Sequence, residues 1–99
     1  MTADEAWRLI EQSREHIDAL DRELVAILNQ RTRMVDHIGR AKEALNLPVK
    51  EANREDDVFR NILGHNQGPI PPDALKRIFE RIIEEMRALQ GMRREASPK

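Results

Sequence analysis

Residues 10–45 read IEQSREHIDALDRELVAILNQRTRMVDHIGRAKEAL. Steps of alternating four and three residues select Ile10, Arg14, Ile17, Asp21, Leu24, Leu28, Arg31, Val35, Ile38, Lys42 and Leu45. That is a sustained heptad seam on one long helix, flanked by Leu20, Ile27 and Met34. Beyond this seam two punctuated stretches interrupt the chain: Asn46-Leu47-Pro48-Val49 and the run GHNQGPIPP from Gly64 to Pro72. Proline and glycine at that density end helices. The pattern predicts an all-α chain of three helices: a long one over 3–45, a short one over 52–64 and a medium one over 72–93. Asp73 falls in the first turn of the third, where negative charge suits the helix dipole. The chain is expected to be a single domain, 1–99, with its core over 8–92 and a flexible tail over 93–99.

At about 1.5 Å per residue the first helix is about 60 Å long, more than one 99-residue globule can cover. A chain this short buries only about two thirds of the surface that its unfolded form exposes. A second copy is therefore expected along the long helix, which becomes the spine of a homodimer.

Four seam positions are charged: Arg14, Asp21, Arg31 and Lys42. Two explanations stand side by side. In one, a coiled coil tolerates polar positions that set register, and its long basic side chains reach out to water. In the other, the seam opens into a pocket lined by cations. Buried cations need anionic partners, and one aspartate against three cations leaves room for a small anionic ligand. Arg14 and Arg31 lie 17 residues apart, about 25 Å along the axis, so one small metabolite cannot touch both in one chain. In an antiparallel pair, Arg14 of one chain can approach Arg31 of the other. Arg31 and Lys42, about 16 Å apart, can close on one compact ligand through their long side chains.

The second segment places Glu55, Val58, Phe59 and Ile62 on one face, with Arg54 beside it. Glu55 is either a first-turn acid favoured by the dipole or a carboxylate aimed into a site. The third carries Leu75, Ile78, Phe79, Ile82, Ile83, Met86, Leu89 and Gln90. Gln90 continues that core face, or else turns to solvent at the helix end.

Seventeen basic against eighteen acidic residues leave a net charge of −1, so no global field draws nucleic acid or an anionic membrane. The absence of cysteine excludes disulfides and thiolate chemistry, and it fits a reducing compartment. The N-terminal MTADEAWRLIEQSRE is charged within five residues and reads as neither signal peptide nor membrane span, so a cytoplasmic location is expected. His16, His37 and His65 are scattered and read as surface residues.

Taken in order, Arg14-Glu15-His16-Ile17-Asp18-Ala19-Leu20-Asp21, the run LVAILNQR from Leu24 to Arg31, and Ile38-Gly39-Arg40-Ala41-Lys42 form one signature. Pro48-Val49, Arg54-Glu55, Ile78-Phe79, Ile82-Ile83-Glu84 and Gln90 complete it. The span Arg14–Gln90 resembles the all-helical class of chorismate mutases. The resemblance implies an entwined dimer of three-helix chains, with two sites that each take one arginine from the partner's long helix. It implies that Arg31 and the other chain's Arg14 clamp the two substrate carboxylates, as guanidinium forks do. Lys42 and Gln90 are expected on the ether oxygen of the breaking bond, and Glu55 on the ring hydroxyl. Arg54 is expected to add positive charge near a carboxylate, and Glu51 to contribute through its backbone. Two positions depart from the family: Met86 stands where a small polar residue is common beside the substrate, and Glu51 replaces a shorter acid. The implied reaction, chorismate to prephenate, is pericyclic and needs no cofactor or metal. The alternatives are an isochorismate-pyruvate lyase of the same fold, or an inactive helical module that docks to another aromatic-pathway enzyme.

Overall fold

Thr2 begins the first helix. Its hydroxyl accepts from the Glu5 backbone N–H at 3.1 Å, and its own N–H donates back to the Glu5 carboxylate at 3.5 Å. This reciprocal pair satisfies two donors that the first turn leaves open. In the computed structural model, which describes residues 1–96, helix α1 runs Ala3–Ala44. Helix α2 runs Arg54–His65 and helix α3 Pro72–Ala96. The described residues contain these helices and no strand, as the heptad spacing and the two punctuated stretches predict. No helix among them is long and apolar enough to cross a membrane.

By its internal contacts the chain falls into two units, Met1–Met34 and the part from Val35 on. The first is the N-terminal part of α1. Its large apolar side chains are mostly open in the single chain: Trp7, Ile17, Leu20, Leu24, Ile27 and Met34 are all exposed. Leu28, Arg31 and Thr32 are half-buried, and the Thr32 hydroxyl donates to the Leu28 carbonyl at 2.8 Å.

The second unit holds the last turns of α1 together with α2 and α3. Helix α1 stops at a left-handed Asn46, φ 57°. The Asn46 N–H returns to the Glu43 carbonyl at 3.1 Å, and the Leu47 N–H to the Lys42 carbonyl at 2.7 Å. That is the Schellman closure, with asparagine in the place glycine usually takes. A second left-handed residue, Asn53 at φ 68°, delays α2 to Arg54, two residues later than the apolar pattern suggests. Pro72 opens α3 in the first-turn position that suits a residue without an N–H.

Helix α3 continues to Ala96, past the expected end at 93. The apolar stripe fades there, but the last turn has anchors that periodicity does not reveal. Arg93 Nε pairs with Asp36 at 2.9 Å, and Arg94 Nη1 donates to the Leu47 carbonyl at 2.6 Å. Of the tail expected to be flexible, residues 93–96 are therefore helical, and residues 97–99 lie outside the described ones. Between α2 and α3, Lys76 Nζ sits 5.3 Å from the centre of the Phe59 ring, a cation–π contact.

Candidate active site

Lys42 lies in the last turn of α1 and is only 8% exposed in the single chain. A buried ammonium requires partners, and the loop after α1 supplies them. Lys42 Nζ donates to the Val49 carbonyl at 2.7 Å and pairs with Glu51 Oε1 at 2.8 Å. The loop comes back to Lys42 because Asn46 turns the chain at the helix end. An ammonium has three N–H donors, so these two anchors fix its direction and leave one. In the structure the Glu51 side chain makes this contact with Lys42. The hydrogen bond and charge of Lys42 hold the Glu51 carboxyl below the ordinary carboxylate range, with Arg54 adding to the effect.

Gln90 is brought to the same stretch of α1. Its Nε2 donates to the Val35 carbonyl at 2.8 Å. Gly39, one turn before Lys42, is buried beneath it; a Cβ there would stand 3.4 Å from Gln90 Nε2. The missing side chain lets the amide lie close to the helix. A carboxamide nitrogen carries two N–H donors, and the Val35 carbonyl takes one. Lys42 and Gln90 thus each keep a donor beyond those that position them. Met86, one turn before Gln90, is buried at 6% exposure.

Glu55 sits in the first turn of α2 and receives a hydrogen bond from Arg87 Nη2 of α3. That bond and the charge of Arg87 lower the Glu55 pKa, and Lys50 assists. The pair borders a cavity of about 210 Å³ lined by Glu55, Phe59, Glu80, Ile83, Glu84 and Arg87. Arg54, the first residue of α2, is exposed.

The second unit thus contains Lys42, Glu51, Arg54, Glu55, Met86 and Gln90. Arg14, exposed, and Arg31, half-buried, belong to the first. His16, His37 and His65 are exposed, as expected. From the sequence, Gly39 was carried only as part of a signature run, with no role of its own, and Arg87 was not singled out. Arg87 stands beside the apolar stripe without interrupting it, so its position in the sequence carries no comparable signal.

The family described as chorismate mutase type II matches residues 13–91. The bifunctional chorismate mutase/prephenate dehydratase of Aquifex aeolicus (strain VF5) is 33% identical over 85 residues, 82% of this chain and 24% of its own length. Its namesake from Neisseria gonorrhoeae (strain ATCC 700825 / FA 1090) is 33% identical over 77 residues, 78% of this chain and 21% of its own. The chain therefore spans about a quarter or less of these curated relatives. Among solved structures, the chorismate mutase (Form II) of Thermus thermophilus matches with a TM-score of 0.80 and 29% identity, over 83% of this chain and 93% of that one.

Proposed function

The chain belongs to the type II chorismate mutase family, and on that basis we propose that it rearranges chorismate to prephenate at a site shared between two copies of itself. The observation that carries this reading is the pair of anchored donors, Lys42 and Gln90, on one stretch of α1. The reaction breaks a C–O bond and makes a C–C bond within one molecule. Two tasks fall to the protein: holding the enolpyruvyl arm over the ring, and stabilising the negative charge that grows on the ether oxygen. In this reading the remaining donors of Lys42 and Gln90 meet that oxygen. They are oriented before substrate arrives, so little reorganisation is needed during the reaction. Glu55, ionised, accepts from the ring hydroxyl. Arg31 holds one substrate carboxylate and the other copy's Arg14 the second, with Arg54 adding positive charge. Met86 and Glu51 border the substrate.

A homodimer is supported by the exposure of Trp7, Ile17, Leu20, Leu24 and Ile27 along α1. The chain also exposes 8274 Å², whereas a self-contained folded chain of its mass exposes about 5,800 Å². Residues 1–99 are read as one catalytic domain, with a core over 8–92, working in the cytoplasm. The bifunctional names of the curated relatives support a second partner role, docking to a separate prephenate-consuming enzyme.

The test is to supply chorismate to the purified protein, follow its loss and identify the product. Prephenate formation that Lys42→Ala abolishes supports the reading. Unchanged chorismate, or pyruvate released from isochorismate instead, overturns it.

A further inference from the structure

We propose that Arg87 is a positioning residue for this reaction: reaching from α3 to the first turn of α2, it aims the Glu55 carboxylate at the substrate's ring hydroxyl. The inference rests on the function proposed above. Helix α3 presents its side chains in two directions within one turn. Gln90 reaches the Val35 carbonyl of α1, while Arg87, three residues earlier, reaches Glu55 of α2. One rigid helix therefore sets both the amide that meets the ether oxygen and the carboxylate that meets the ring.

Arg87 has nearer acids to choose from. Glu84 lies three residues before it on α3 and Glu80 seven before, and both line the same cavity. Arg81 holds Glu84, at 3.8 Å, and Glu85 at 2.9 Å, so those two acids have a cation of their own. Arg87 instead bonds across 32 residues of chain to Glu55. It engages Oε1. A carboxylate has two oxygens and about four acceptor positions, so Oε2 keeps its capacity for a hydroxyl. The pair is one-third to two-fifths exposed, 33% for Arg87 and 41% for Glu55, too open to be chiefly a stabilising ion pair. A glutamate in that setting samples several rotamers, and one charged bond from a helix side chain confines it. Besides Arg87, the charged groups around Glu55 are Glu80 and Glu84 of α3, Arg54 beside it on α2, and Lys50 of the preceding loop. Arg87 is the main group that lowers the Glu55 pKa, so its loss lets that pKa rise, with desolvation acting in the same direction.

The experiment compares wild type, Arg87→Met, Arg87→Lys, Glu55→Gln and the double variant Arg87→Met with Glu55→Gln, on chorismate. Methionine keeps the apolar stem and lysine keeps the charge. We expect kcat/KM to fall about tenfold in Arg87→Met, the loss of one charge-assisted contact, with melting temperature unchanged. The acid limb of its pH profile moves to higher pH, and Arg87→Lys restores part of the rate. The double variant is no slower than Glu55→Gln alone, because Arg87 acts through Glu55. Wild-type turnover with Arg87→Met unaffected, or losses that multiply in the double variant, overturns the inference alone. A wild type that leaves chorismate unchanged overturns the underlying function, and the inference with it.

Discussion

Lys42 carries the largest expected effect of any single residue. Its ammonium is buried at the end of α1 and held by Val49 and Glu51. On the proposed mechanism, Lys42→Ala removes a preorganised donor from the ether oxygen. Turnover should fall by about two to three orders of magnitude, the range seen when one such donor is lost, and a single-turnover assay measures it. Glu51 acts one step back. Its folded pKa lies below the ordinary 4.5, so it contributes stability above about pH 4.5 and loses that contribution as pH falls through the folded value. Glu51→Gln should therefore be less stable than wild type at pH 7, and the gap should close on acidification. Urea midpoints at the two pH values decide it. Of the residues singled out from the sequence, Lys42 was legible because it interrupts an apolar seam, whereas the position of Gln90 left two readings open and only the family resemblance chose between them. The partners that aim them were not legible, since backbone acceptors such as the Val35 and Val49 carbonyls leave no mark in a sequence.

Helix α1 shows how one element carries both fold and site. Heptad spacing makes it a helix, but where it stops decides where Lys42 points. Asn46 adopts φ 57°, a conformation that costs most residues about 1–2 kcal/mol and that asparagine and glycine tolerate. Asn46→Ala should destabilise the protein by about 1 kcal/mol, and Asn46→Gly should be near neutral. The alanine variant should also lose turnover, because the loop it displaces holds Val49 and Glu51 against Lys42. Denaturant melts and kcat for the two variants test both halves. Helix boundaries were readable where proline or glycine marked them, as at Pro72. They shifted where a tertiary contact intervened, as with Arg93 on Asp36 and Arg94 on the Leu47 carbonyl, which carry α3 to Ala96.

At the scale of the molecule, burial is the constraint. Among the described residues, Met86 is the one hydrophobic side chain that the single chain buries, while Trp7, Leu20 and Ile27 remain open. Folding must offset about 1–2 kcal/mol of backbone entropy per residue, and so thin a core cannot do so. On the proposed pairing, melting temperature should rise with protein concentration, as a dilution series read by circular dichroism would show. Arg14→Ala and Arg31→Ala chains, each inactive alone, should recover part of the activity when mixed, because one hybrid site keeps both arginines. Verified heterodimers without that recovery would refute the shared site.

The order of amino acids was enough to establish the helical class and the three elements, while the candidate catalytic side chains were named by the family resemblance. The helical class and the elements follow from local rules: a period near 3.5 and the backbone limits of proline and glycine. How the side chains are held was settled only by folding in three dimensions. Packing set Gln90 over Gly39, closed the loop on Lys42 through Glu51, and joined Arg87 to Glu55 across 32 residues of chain. Such contacts depend on where helices meet in space, and helical periodicity fixes a residue's face without fixing what that face will touch.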